Sequence, residues 1–307
     1  MEIVKKKKNV HLVSRTSALL GLLFQCVQKD LISISDITKR IIVVRNIAEQ
    51  IVEDKSRPNA SCQAEAILSV IDLNLSMIAP EDKEEEILER GYGHAISSLR
   101  RSEGLAEASL DDISNVVELG QKFPRLQTEK FEELFEEYSE TVGKRSGEIE
   151  RGLLYLDRAS SDLENKEPLI AIGRLGQAVR HLTKDEVSGA YSVALSGLSS
   201  AYANIDLSFA ARAMNLASLA AIEHHRHTSD EVLHSKAFVM GLEALAWKSL
   251  KTGHLGDSLF AWIYRRSIAE QNPSLQVNTA PDSEKSRRFD ACIALSHIHI
   301  SEPTRPY

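Results

Sequence analysis

Apolar residues recur along most of the chain at intervals of three and four, the spacing of one face of an α-helix, and strand-like alternation is nearly absent. Ile37, Ile41, Val44, Ala48 and Ile51 share the face of a helix opened by Ser35 or Asp36. Ala64, Ile67, Ile71, Leu75 and Ile78 mark the next helix, which stops at Pro80, and Ile87, Ala95 and Leu99 continue the series. Ile113, Val116, Val117 and Gly120 follow, before Phe123-Pro124. The clearest stripe runs over 128–142. There Phe131, Leu134, Phe135, Tyr138 and Val142 point inward, Glu132, Glu133, Glu136, Glu137 and Glu140 face water, and Gly143 supplies a stop.

Beyond residue 147 the predicted helices become paired and short-looped. A helix over 148–164 buries Ile149, Leu153, Leu156 and Leu163. Pro168 opens the next at a position where its missing N–H costs nothing, with Ile172, Leu175, Val179 and Leu182 as its stripe. Thr183-Lys184-Asp185-Glu186 and Thr228-Ser229-Asp230-Glu231 have the form of capping boxes. The first opens a helix through Tyr191, Leu198 and Tyr202, the second a long helix through Leu242, Leu245 and Leu250. Between them Asp206 caps a helix that buries Ala210, Met214 and Ala217, and Asp257 opens a last helix ending at Asn272-Pro273. About a dozen helices with turns this short predict an all-α protein of antiparallel helix pairs.

Composition agrees with a folded, soluble chain: 307 residues, 43% hydrophobic and 26% charged, with three scattered cysteines (Cys26, Cys62, Cys292) that suit a reducing compartment. Lys5 to Lys8 and the apolar stretch 18–24 lack the small-residue cleavage site of a signal peptide, so the expected location is cytoplasmic. The net charge of −7 is uneven, because residues 81–150 carry 9 Lys/Arg against 19 Asp/Glu. An acidic block repels nucleic acid and anionic lipid and suits solubility or a basic partner.

Within the paired region, Leu198-Ser199-Ser200-Ala201-Tyr202 followed by Ala211 resembles the Leu-small-x-x-Tyr and later Ala of tetratricopeptide repeats. Leu245-Ala246, Gly253, Ala261 and the closing Pro273 resemble it again. Leu198 and Leu245 stand 47 residues apart where the family repeats every 34, and the turn around Gly253-His254-Leu255-Gly256 reads as about three residues too long. The resemblance covers residues 148–273 and implies an irregular, tetratricopeptide-like α-solenoid that binds a protein or peptide without catalysis or cofactor. It also implies a groove lined from the first helix of each pair, for which the polar candidates are Arg180, Asn204 and Lys248. Residues 1–147 form a separate helical region, and 274–294 a loop followed by the start of a helix.

Catalytic signatures are absent from the sequence. Gly91-Tyr92-Gly93 lacks the third glycine of a dinucleotide loop, Gly143-Lys144-Arg145-Ser146 lacks the earlier glycine of a phosphate loop, and no His-Glu-x-x-His or Gly-x-Ser-x-Gly occurs. The densest group of metal-ligand types is Glu223-His224-His225-Arg226-His227 with Glu231 and His234 downstream, and the candidate ligands in it are His224, His227, Glu231 and His234. Zinc needs three or four such ligands converging at about 2.0–2.3 Å. The competing reading is a polar inter-helix turn in which Thr228 caps the following helix and Arg226 repels a cation.

Leu295 to Arg305 resembles the translation of sequencing-adapter DNA, matching ten of eleven residues and departing only at His297, where the adapter encodes leucine. The expectation is that residues 295–307 are not native and that the natural chain continues differently beyond Ala294. Three functions remain open at this stage. The first is a non-catalytic protein-binding scaffold, the second the sensor or arm of a larger regulator or enzyme, and the third a metal-dependent helical enzyme. A solenoid lacking its polar cap exposes an apolar face near 257–273, which favours association; the sequence itself sets no oligomeric state.

Overall fold

The computed structural model describes residues 34–53, 58–77, 79–101, 107–182, 189–225 and 231–271. Among these residues every regular element is helical, eleven α-helices and one 3₁₀ turn. The chain divides into two compact units, Met1–Gly147 and Glu148–Tyr307. The tail 272–307, the lysine-rich start and both capping-box sequences, apart from Glu231, lie outside the described residues.

The first unit contains α1 (Ile34–Glu53), α2 (Pro58–Ser76), α3 (Glu81–Arg100), α4 (Glu107–Lys122), the 3₁₀ turn Pro124–Leu126 and α5 (Glu129–Ser146). α2 packs on α1, α3 and α4, while α5 packs on α3 and α4, so α2, α3, α5 and α4 close a ring. Membership of that ring buries α2 on almost every side. Ala64, Ile67 and Ile71 are inside as the stripe predicts, but so are Cys62, Ala66, Leu68 and Leu73. A helix covered all round has no single stripe to read. In α3 the buried face is Leu88, Tyr92, Ala95, Ile96 and Leu99, with Ile87 half-buried.

Two polar ties fix this packing. Asp72, fully buried on α2, accepts from Arg90 Nε at 2.8 Å and Nη2 at 3.3 Å and lies 3.2 Å from Arg45 Nη1. Tyr92 donates its hydroxyl to the Leu126 carbonyl at 2.8 Å, and its ring lies 5.6 Å from that of Phe131. α5 keeps the predicted buried residues through Tyr138, with Thr141 buried and Val142 half-buried. The helix does not stop at Gly143. It runs one further turn to Ser146 and ends at Gly147, whose φ of +106° only glycine adopts without strain and whose N–H bonds the Gly143 carbonyl. A mid-helix glycine costs about 1 kcal/mol, which the additional hydrogen bonds offset.

The second unit is three successive helix hairpins: α6 (Glu148–Glu164) with α7 (Pro168–Leu182), α8 (Ala190–Asn204) with α9 (Ser208–His225), and α10 (Glu231–Lys251) with α11 (Leu255–Gln271). Each second helix also packs on the first helix of the following hairpin, which is the stacking of an irregular, tetratricopeptide-like solenoid. The turn inside each hairpin is the same. Lys166, Asp206 and Gly253 have φ of +64°, +60° and +79°. One residue later, the N–H groups of Glu167, Leu207 and His254 bond the carbonyls of Asp162, Tyr202 and Ser249 five residues back, closing a Schellman motif three times.

Aligning the hairpins on these turns places Ala159, Ser199 and Ala246 opposite Ala171, Ala211 and Ser258, all six buried. These are the crossings, and two of them carry a hydroxyl bond from one helix to the other: Ser199 Oγ donates to the Ala211 carbonyl at 2.5 Å and Ser258 Oγ to the Ala246 carbonyl at 2.7 Å.

Several sequence expectations change here. The turn at Gly253 is no longer than its equivalents, and the extra residues lie between the turns instead. α10 has 21 residues where α8 has 15. Asp206 does not cap α9 but occupies the left-handed turn position, and its carbonyl accepts from Ser208 N–H. α9 buries Ala211, Asn215, Ser218, Leu219 and Ile222, one position over from the expected stripe. α6 buries Gly152, Tyr155, Arg158, Ala159 and Asp162, leaving Leu153, Leu156 and Leu163 half-buried and Ile149 39% exposed. α11 starts two residues before Asp257.

Candidate functional site

In the second unit the first helices α6, α8 and α10 each keep one face uncovered, and the turn alignment shows which residues share it. One row is Leu153, Val193 and Met240, of which Leu153 is half-buried while Val193 and Met240 are 56% and 57% exposed. Two turns further along, beyond Asp157, Gly197 and Ala244, is the row of Ser160, Ser200 and Trp247, with the two serines exposed and Trp247 half-buried. The row nearest the turns is Glu164, Asn204 and Lys251, all exposed. The face is thus apolar in its upper row, made of two serines and a tryptophan in the middle, and graded from acid through amide to base in the row nearest the turns.

Close approach of neighbouring helices holds these rows in register. A Cβ on Gly197 of α8 would come within 2.8 Å of Leu175 of α7, and one on Gly241 of α10 within 2.7 Å of Leu219 of α9. Asn215 of α9 donates to the Gly241 carbonyl at 3.1 Å and accepts from Lys248 Nζ at 3.2 Å. Arg212 of α9 reaches Ser249 Oγ at 3.2 Å and pairs with Asp257. The second hairpin is therefore fixed to the third by a polar seam as well as by apolar packing.

The three sequence candidates for partner contact occupy different places. Asn204 ends α8 on the open face. Lys248 is half-buried in the seam between the second and third hairpins, where burial holds its ammonium pKa below the usual range. Arg180 is exposed on α7, a second helix. Of the metal-type group, His224 is exposed near the end of α9, His227 lies outside the described residues, and nothing is described of the side chains of Glu231 and His234. Among the described residues no three His, Cys, Asp or Glu side chains come together as a metal site.

Val193, Met240 and Ser160 are not among the residues that sequence patterning singles out, and Ser200 enters there only as part of the repeat motif. A signal existed for the first two, since each is an apolar residue off the buried stripe of its helix. Their equivalence becomes visible only once the turns are superposed.

In the first unit, the acidic face of α5 is partly engaged within the fold. Arg100 of α3 donates to Glu133 and Glu137, both at 2.8 Å, and Lys130 pairs with Glu133 at 2.6 Å. Both bases pull the Glu133 pKa below the usual carboxylate range, Lys130 most strongly. Cys62 is buried on α2 against the Ser98 carbonyl at 3.2 Å, and that burial raises its thiol pKa away from reactivity. No described helix is long and apolar enough to cross a membrane.

No protein-family model matches the sequence, and no curated protein matches it. Solved structures do. BtubC (BKLC) from P. vanneervenii is similar at 14% identity and a TM-score of 0.44, over 78% of this chain and 95% of that one. A kinesin-light-chain structure of nearly identical tetratricopeptide-like repeats from Podospora anserina is similar at 14% identity and a TM-score of 0.37, over 76% and 96%. A signal-transduction ATPase with a tetratricopeptide repeat sensor, from Pyrococcus horikoshii, is similar at 10% identity and a TM-score of 0.35, over 91% of this chain and 41% of that one.

Proposed function

We propose that the second unit is a non-catalytic scaffold that binds an extended polypeptide along the open faces of α6, α8 and α10. The observation that carries this reading is the repetition itself. Three stacked hairpins present side chains at equivalent positions of successive first helices, and an extended chain can meet such rows one after another. Val193 and Met240 offer apolar contact. Ser160 and Ser200, whose hydroxyls donate to the Leu156 and Ser196 carbonyls of their own helices at 3.0 and 3.1 Å, offer acceptor oxygens to a peptide N–H, and the row from Glu164 to Lys251 sets direction. A segment basic at the α6 end and acidic at the α10 end has the complementary charge. No step of this reading calls for a cofactor.

A displayed library of about fifteen-residue peptides, probed with the full chain, tests it. Selected peptides are expected to carry that charge order and to lose at least about tenfold in affinity with Val193→Asp or Ser200→Arg, since either change places a charge at the centre of the contact. Exchanging the charges at 164 and 251 is expected to reverse the preferred order. Peptides that bind equally well to the wild type and to both single variants would reject the open face as the site.

A further inference from the structure

We infer that the outer faces of the second helices α7, α9 and α11 form the interface of a two-fold homodimer. On α7, Leu169, Gly173, Gly176 and Arg180 follow one another at the spacing of a single helical face, and all four are exposed. The same positions of α9 are Phe209, Ala213, Leu216 and Ala220, again all exposed. On α11 the face presents Phe260 and Ile263, with Tyr264 beside them. Arg180 is the one charge at these positions, and one turn further on, α9 and α11 carry the exposed acids Glu223 and Glu270. A solvent-facing helix stripe is normally polar, so three successive apolar ones call for a covering partner.

Area supports a partner of ordinary size. Leu169, Ile170, Phe209, Leu216, Phe260, Ile263 and Tyr264 are 40% to 72% exposed. At about 200 Å² per large apolar residue they leave on the order of 800 Å² open to water, what one side of a standard protein interface buries.

Relief selects a second copy as that partner. Gly173 and Gly176 stand in the interior of α7, where an added Cβ would meet nothing within 4 Å. Packing within the protomer therefore does not account for them, although Gly152, Gly197 and Gly241 in the same unit are each held by a close neighbour. Two bare positions on α7 form a shallow recess, and Phe260, Ile263 and Tyr264 on α11 form a ridge, with the Phe260 and Tyr264 rings 5.8 Å apart.

A two-fold axis parallel to α9 lays α9 on its own copy and reverses the order of the flanking helices. The α11 ridge of each subunit then enters the α7 recess of the other, and the contact closes as an isologous pair. Helices meet in parallel in this arrangement, so Arg180, near the end of α7, comes opposite the end of the partner subunit's α11, where Glu270 already pairs with Arg266 at 2.8 Å. One base among apolar residues gives a nucleic acid or a strongly charged peptide little to hold. A homodimer through this face also leaves the open faces of α6, α8 and α10 unoccupied.

Light scattering coupled to size exclusion, and sedimentation equilibrium, on the full chain between about 0.5 and 50 µM test this. The expected mass at the upper end is twice 34.1 kDa. Leu216→Asp, which the axis duplicates, is expected to weaken dimerisation at least about a hundredfold. Val193→Asp on the open face should leave it unchanged. Gly173→Ala with Gly176→Ala separates an interface role from a folding role. Measured where the chain is monomeric, the melting temperature should rise because alanine favours the helix, while the dimer weakens at least about tenfold.

With Cys26 and Cys292 replaced by serine, mixing Gly176→Cys with Ile263→Cys protein should yield a mixed disulfide faster than either alone yields its own. A 34.1 kDa species throughout the range, a dimer indifferent to Leu216→Asp, or equal yields of mixed and like disulfides would each overturn the proposal.

Discussion

Replacing Ala211 by leucine tests the helix crossings more sharply than any other single change. Ala211 has no exposed surface, and its carbonyl receives the Ser199 hydroxyl at 2.5 Å, so the backbones of α8 and α9 have no slack between them. Leucine adds three carbons. Had they a cavity to fill, burial would contribute about 0.8 kcal/mol for each. Without one, overpacking costs about 1–3 kcal/mol, and separating the helices to relieve it removes the Ser199 bond, worth about 1 kcal/mol. The change in helix propensity is only a few tenths. The net expectation is a loss of about 2–4 kcal/mol.

Ala237→Leu on the exposed part of α10 is the same chemical change without the crossing, and it should lie within about 0.5 kcal/mol of wild type. The chain's two tryptophans, Trp247 and Trp262, both belong to the third hairpin, so their fluorescence during urea unfolding follows the second unit. Because stacked hairpins stabilise their neighbours, damage to the second is read out in the third. Equal midpoints for Ala211→Leu and Ala237→Leu at unchanged m-value would refute the close crossing.

Three further outcomes follow from the geometry. Lys166→Gly should raise stability by about 0.5–1 kcal/mol in the same titration, since lysine holds a left-handed backbone there, and Asp206→Gly should gain less because aspartate tolerates it better. Asp112 on α4 has its pKa raised to about 6 by burial and by neighbouring Asp111. The folded state therefore holds its proton where the unfolded chain releases it, and stability falls as pH rises from about 4 to 6. Asp112→Asn should add about 1–2 kcal/mol at pH 7.5, after allowance for solvent screening, and the gain should vanish below about pH 4, as followed by hydrogen exchange of α4 and α5. Asp72→Ala removes the carboxylate between Arg45 and Arg90. It should cost about 2–3 kcal/mol in denaturant unfolding followed by far-UV circular dichroism, less than a fully buried pair because both guanidinium groups keep some contact with water.

Periodicity exposed the helices better than their faces. The strong amphipathic pattern of α5 placed Phe131, Leu134, Phe135 and Tyr138 correctly because that helix has one covered side and one wet side. α2 and α6 defeat the same method for opposite reasons. The ring of the first unit encloses α2, so polar Ser69 and Asp72 lie as deep as its leucines. α6 buries Arg158 and Asp162 at the positions where α8 has Leu198 and Tyr202, so the stripe of large apolar residues marks the wrong edge of its buried face. The left-handed turns hid similarly. Gly253 announces itself, whereas Lys166 and Asp206 adopt the same φ without the residue type that would have flagged it.

The candidate surfaces were less legible because they depend on alignment among hairpins. Ser200 means little alone and becomes a row only beside Ser160 and Trp247, once unequal helices have been registered on their turns. Spacing between turns is 40 residues and then 47, so a search for a fixed period misses the equivalence. What is constant is local: a small residue seven positions before the turn, another five after it, and one residue between the helices with positive φ. A small pair fixes how closely two helices cross, and the turn fixes where along their length they do so. The rest of each hairpin can lengthen without moving the next. Chain length can thus drift between repeats while equivalent faces stay in register.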